Sequence, residues 1–250
     1  MKKFFLSATE NLPVLALAKK ELYSFSNYPV TYGIGIFFLL FCSIWLFYFQ
    51  HFFTMDTASL RSWFAAFPLV FILVIPSITM KSWAEERRTG SIELLLTMPF
   101  SEWDLVLGKF LAAFGVLVFI LILSIPLPLS LMSLGTFDGG VILCEYLGAL
   151  LLGCSAISLG LFLSSLSRNQ AGAFLGSAVI LLAVMLINRV TLVFNLPPGL
   201  AAALNWLSLS FHFESFSRGL VDTRDLAFFI ITAILFLFLN TRVLIYRKWR

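Results

Sequence analysis

Apolar positions along this chain come in long unbroken runs, separated by short clusters of charge. Six runs stand out, at about residues 30–49, 63–80, 108–134, 141–166, 171–194 and 226–245. A helix rises about 1.5 Å per residue, so roughly 20 apolar residues are needed to cross about 30 Å of hydrocarbon. The runs meet that length. The period-2 alternation of a membrane-barrel strand is absent, and a backbone in lipid must satisfy its own polar groups, so the runs predict six transmembrane helices in an all-α integral membrane protein. Pro126 and Pro128 cannot donate to the helical ladder and predict a kink in the third helix.

Two segments between the runs are neither span nor plain loop. From Asn11 to Ser26 the residues Leu12, Leu15, Leu22 and Phe25 fall on one side of a helix, with Asn11 placed to cap it, Pro13 near its first turn, and Lys19, Lys20 and Glu21 elsewhere. Such an amphipathic helix lies on a membrane surface, as an anchor or as a lever. The second segment runs from Lys81 to Lys109. The second helix is expected to continue past the membrane through Arg88 and to stop at Gly90. Ser91 is then expected to cap a short helix carrying Ile92, Leu94, Leu95 and Leu96, which Pro99 ends. Ser101 and Asp104 have the spacing of a capping box and open the third span. Three successive leucines at the tip of a polar loop must be buried against their own protein, the membrane surface or a partner.

Composition supports the membrane reading and charge orients it. The chain is 60% hydrophobic and 12% charged, against about 25% charged in a typical soluble domain, which excludes an ordinary soluble domain, a disordered chain and a disulfide-stapled secreted fold. A net charge of +4 spread through apolar segments makes no continuous basic face, so lipid rather than nucleic acid is the expected partner. Lys2, Lys3, Lys19, Lys20, Lys81, Arg87, Arg88, Lys109, Arg168, Arg242, Arg247, Lys248 and Arg250 fall on one side of the six spans, and only Arg61, Arg189, Arg218 and Arg224 on the other. The richer side is expected to be cytoplasmic, with both termini inside a multi-pass protein of the inner (cytoplasmic) membrane. The first 29 residues lead into a full span without a small-residue cleavage site, so no removable signal peptide is expected. Cys42, Cys144 and Cys154 fall inside spans without metal-ligand spacing and read as packing residues.

The stretch Glu85-Glu86-Arg87-Arg88-Thr89-Gly90-Ser91-Ile92-Glu93-Leu94-Leu95-Leu96-Thr97-Met98-Pro99-Phe100-Ser101, followed by Gly108-Lys109, resembles the cytoplasmic loop of ABC-2-type exporter permeases. Three more segments resemble that family in order: 26–32 its entry into the first span, 164–171 its fourth loop, and 207–222 its last external loop. The likeness covers nearly the whole chain and looks closest to permeases associated with gliding motility and to the related copper-processing permeases of denitrifiers. It implies a single transmembrane domain over 1–250, paired with an identical or related subunit above two ATPase subunits that hold ATP and Mg²⁺. In this likeness 85–96 is the coupling helix region, with Glu85, Glu86, Arg87, Arg88, Gly90, Ser91, Ile92, Glu93, Leu94 and Leu95 facing the ATPase, and 11–26 is the connecting helix beside it. Segment 197–225 supplies short, partly re-entrant external gate helices, with His212, Phe213, Phe216 and Arg218. The gliding-type subgroup also implies an auxiliary external subunit.

The residues themselves place ATP on another chain. A P-loop needs G-x-x-x-x-G-K-[ST], whereas Gly108-Lys109 is preceded at position 103 by Trp and followed by Phe110, so the chain is expected to be a non-catalytic subunit without a bound cofactor. No span carries a histidine, which disfavours a rhomboid-type protease, and His51 and His212 are too few for a zinc site. His212 lies among Phe211, Phe213 and Phe216 and reads as aromatic packing. Glu145 is the acid placed within a span, either an interfacial carboxylate at a helix N-terminus or a residue of the translocation path. Asn188 and Asn240 are expected to bond between helices, while Gly148, Gly153, Gly160, Gly172 and Gly176 permit close packing within one subunit or between two. The exporter-permease reading has two rivals: an ion-gradient-driven secondary transporter and a non-transporting membrane scaffold.

Overall fold

The computed structural model describes residues 13–50, 60–97, 100–134, 137–194 and 197–248. Asn11, Leu12, His51 and Pro99, and the side chains of Leu94 and Leu96, lie outside that description. The described residues contain no strand. Among the described residues, six helical stretches are long and apolar enough to cross a membrane: Pro29–Phe49, Arg61–Arg88, Glu102–Leu131, Gly139–Leu166, Gln170–Thr191 and Thr223–Arg247. Each overlaps one of the six expected runs.

In chain order, α1 (Pro13–Ser26) precedes α2 (Pro29–Ile44), which widens into a π turn through Phe49. A short α3 (Arg61–Phe64) leads into α4 (Phe67–Arg88), followed by α5 (Ser91–Leu96). Next come α6 (Glu102–Ser124) and α7 (Pro126–Leu131), which meet at the expected proline break. The long helices α8 (Gly139–Leu166) and α9 (Gln170–Val193) are followed by the short α10 (Pro198–Leu207) and α11 (Leu209–Phe216), and α12 (Thr223–Lys248) completes the bundle. Local chemistry sets the starts. Ser101 and Asp104 form the expected capping box, each side chain accepting the other's backbone N–H at 3.1 Å. Asp138 and Asn169 cap α8 and α9 by accepting the N–H of Gly140 at 2.9 Å and of Gly172 at 2.7 Å, satisfying amides that the first turn leaves open.

The core lies between α4 and α8, whose most apolar windows are 72% and 67% buried, against 22% for α2 and for α9. Glycines on α8 make the close approach possible. A methyl group at Gly148 would stand 2.6 Å from Phe216 Cβ of α11, and one at Gly160 would stand 2.5 Å from Thr79 Oγ1 of α4. Gly153 similarly receives Leu117 of α6. These three glycines therefore pack within one subunit, whereas Gly176 has open space in front of it. The helix α1 lies along α6, with Leu17 seated over Gly108, where a Cβ would come within 2.8 Å. Leu22 of the expected apolar stripe also faces α6, where a methyl group at Gly115 would stand 3.1 Å from its Cδ1, while Leu15 of the stripe is 54% exposed. The binding partner of α1 in this fold is α6.

Candidate functional site

The end of the bundle that gathers Arg87, Lys109 and Arg247 is built around the charged tail of α4. Its four consecutive charges go to different neighbours. Glu85 accepts from Gln170 Nε2 at the start of α9 and pairs with Arg88 at 3.1 Å. Arg87 donates to the Leu166 carbonyl at 3.0 Å and the Ser167 carbonyl at 2.6 Å, satisfying acceptors that the end of α8 leaves open. Ser164 of α8 adds contacts to the α4 backbone, donating to the Met80 carbonyl at 3.3 Å and accepting from Trp83 N at 3.3 Å. Glu86 reaches Lys109. Of the tetrad, only Arg88 is turned mainly to solvent.

Lys109 is the buried centre of this junction. It is 4% exposed, and its Nζ donates to Glu86 Oε1 of α4 at 2.6 Å and to Glu21 Oε1 of α1 at 3.2 Å. It also lies 4.9 Å from the centre of the Trp83 ring. One cation thus ties α1, α4 and α6, and the glycine before it admits α1 close enough for the tie to form. Sequence reasoning used Lys109 in a motif and in the charge balance of the loops, without a partner for it. The overlooked signal was a lysine within the first turns of an apolar span, which cannot be buried without a counter-charge.

The short α5 projects from this junction. Gly90 adopts φ +72°, the left-handed region that glycine enters without penalty, and turns the chain between α4 and α5. The expected Ser91 cap does not form. Gly90 occupies the cap position, and the Ser91 hydroxyl instead bonds Thr89 Oγ1 at 2.9 Å. The physical reason is that the tight turn carries Ser91 into the first helical position, facing the end of α4. Ile92 is half-buried and Leu95 is 8% exposed within the core, so the knob buries Leu95 against its own protein. Glu93 remains exposed.

At the opposite end, α11 inserts His212, Phe213 and Phe216 into the bundle at 2%, 3% and 0% exposure. His212 stacks on Phe228 with ring centres 3.9 Å apart, so the expected aromatic setting is present. It also does more. Its Nδ1 is 2.6 Å from Asp225 Oδ1 and its Nε2 is 3.0 Å from the Trp206 carbonyl. The ring thus bridges a carboxylate at the start of α12 and a backbone carbonyl of α10. This clasp joins α10, α11 and the first turn of α12. Asp225 carried no sequence signal, because a partner thirteen residues away across a turn fits no helical spacing. Arg218 lies outside the clasp, exposed and paired with Glu214 at 2.8 Å.

Glu145 is buried inside the bundle. It lies on the second turn of α8, 1% exposed, with neither carboxylate oxygen bonded among the described residues, and Asp138 serves the helix start instead. A cavity of about 520 Å³ opens nearby, lined by Arg61, Arg189, Glu214 and apolar side chains including Trp45 and Phe213; Glu145 is not among its lining residues. The expected interhelical bonds of Asn188 and Asn240 are absent: the Asn188 side-chain oxygen and the whole Asn240 amide lack partners among the described residues. The polar tie between α9 and α10 is made by Thr191 and Asn205 at 2.6 Å, because these residues face each other where the two helices meet.

Residues 49–245 match the model of a family described as ABC-2 family transporter protein. The chain belongs to the ABC-2 transporter family. Among curated proteins, this ABC-2 chain is similar to the probable multidrug ABC transporter permease YbhR from two strains of Escherichia coli. The identity is 28% over 160 residues, covering 62% of this chain and 43% of the relative. The ABC-2 match spans the α4–α5–α6 junction and the α10–α11 segment alike.

Proposed function

We propose that this chain is the membrane-spanning permease subunit of an ATP-binding-cassette exporter. Two such subunits, identical or paired with a related chain, form the translocation path. Two separate cytoplasmic ATPase subunits hold ATP and Mg²⁺, and this chain is non-catalytic. The observation that carries the reading is a short projecting helix, in a chain of this family, mounted on a buried ion-paired junction that reaches four long elements. In this reading α5 is the coupling helix and α1 the connecting helix. ATP favours the closed arrangement of the ATPases, and that differential affinity displaces α5. The Lys109 tie makes α1, α4 and α6 move together, while Arg87 passes the displacement to the end of α8. At the far end α10 and α11 form the external gate, with the His212–Asp225 clasp holding it against α12. Glu145 is a candidate residue of the path between them.

The same reading puts the Lys109 end in the cytoplasm, with both termini inside the inner membrane. The uncovered apolar faces of α2 and α9 then lie against lipid or the second subunit. Segments 26–32, 164–171 and 207–222 favour the gliding-motility and copper-processing branch of the family, where an auxiliary external subunit joins the complex. The test is affinity purification in mild detergent with identification of the subunits that follow. A P-loop ATPase is expected, and the doubly exchanged Arg88→Glu/Glu93→Arg variant, altered at the two exposed charges of the knob, is expected to release it while remaining in the membrane. Retention of the ATPase by that variant refutes the coupling role of α5. Transport by the purified chain in liposomes without an ATPase refutes the exporter reading in favour of an ion-driven carrier.

A further inference from the structure

An open groove of about 970 Å³ lies between the ends of α8 and α12 on the Lys109 side of the bundle. Its floor is apolar, from Phe162, Leu239 and Val243, and its rim carries the guanidinium groups of Arg87, Arg242 and Arg247. Among the described residues that line it there is no carboxylate. Arg87 is held by the α8 carbonyls and experiences the like charges of Arg168 and Arg247. Arg242 lies 4.8 Å from the centre of the Phe238 ring. Arg247 buries Nη1 with no hydrogen-bond partner among the described residues. A buried donor on a cation is costly to leave unpaired, and clustered guanidinium groups repel one another without an anion between them.

We propose that this groove binds an anionic phospholipid, with its phosphate at Arg242 and Arg247 and an acyl chain along Phe162, Leu239 and Val243. Guanidinium groups recognise phosphate oxygens through two parallel hydrogen bonds, and Arg242 and Arg247 bring two of them to one rim. The floor residues belong to two membrane-crossing helices, so the groove opens where acyl chains meet head groups. Basic pockets at that level between helices are lipid head-group sites. A soluble anion would satisfy the rim and leave the floor wet; an anionic lipid covers both. The inference rests on the membrane fold alone and is independent of the exporter reading.

The experiment equilibrates the purified full chain in detergent with equal amounts of phosphatidylglycerol and phosphatidylcholine of identical acyl chains, and counts the retained lipid by native mass spectrometry. Preferential retention of phosphatidylglycerol, falling with added salt, is expected. Its affinity is expected to drop about fivefold for each guanidinium removed in Arg242→Gln and Arg247→Gln, while Arg224→Gln at the other end leaves it unchanged. Equal retention of the two lipids by the unaltered chain overturns the proposal and needs no variant to fold. So does unchanged retention in the folded double variant, or displacement of the lipid by inorganic phosphate alone. Loss of the lipid when two copies associate identifies the groove as an interface between copies and overturns it as well.

Discussion

Replacing Lys109 with glutamine removes the cation from a site that keeps two carboxylates. Its Nζ stands 2.6 Å from Glu86 and 3.2 Å from Glu21, with the lysine side chain 5% exposed and the carboxylates 17% and 18%. Removing one partner of a buried pair costs about 3–5 kcal/mol, because the other charge is stranded. The residual exposure of both carboxylates puts Lys109→Gln at the low end, about 3 kcal/mol. At about 2–4 °C per kcal/mol for a chain of this length, the midpoint of thermal unfolding is expected to fall by roughly 6–12 °C. Tryptophan fluorescence of the detergent-purified protein reads the transition, since Trp83 lies against the lysine. The Glu86→Gln/Lys109→Gln double variant, in which the closest charge pair is neutralised, is expected to regain more than half of the loss. A single variant within about 2 °C of the unaltered protein refutes the tie, as does a double variant whose loss equals the sum of the two singles.

Three further outcomes follow from the packing. Gly148→Ala drives a methyl group into Phe216 and is expected to destabilise by about 1–3 kcal/mol, whereas Gly176→Ala meets open space and is expected to be tolerated; thermal unfolding of the pair checks this. Gly90→Ala forces a left-handed residue with a Cβ at the turn before α5 and is expected to cost about 1–2 kcal/mol, seen as faster backbone exchange across 89–96. His212→Ala removes both contacts of the clasp and leaves the Asp225 carboxylate buried, so hydrogen exchange across α11 is expected to rise while the α4–α6 junction stays protected.

The spans were legible because hydrocarbon thickness imposes a length and an absence of charge that any window along the sequence reveals. The break at Pro126, the stop at Gly90 and the Ser101–Asp104 cap were legible for a similar reason, since each is local chemistry within a few residues. The site was legible only in outline. Within the motif around 85–96, Glu86, Arg87 and Leu95 turn inward, and what holds them lies on α6, α8 and the core. Pairings such as Lys109 with Glu21, 88 residues apart, follow from how helices cross, and no periodicity encodes them. Glu145 shows the same limit: its place near a helix start is local, while its burial is set by the helices around it.

The decisive measurement is the distance between spin labels at Gly199 on α10 in two paired subunits, reconstituted with the copurified ATPase in lipid and read with and without ATP and Mg²⁺. The proposed coupling predicts a nucleotide-dependent change in that distance in the unaltered complex and its loss in Lys109→Gln, with the ATPase still bound. An unchanged distance, or the same change in Lys109→Gln as in the unaltered complex, refutes the transmission of ATP-driven movement from α5 to the external gate.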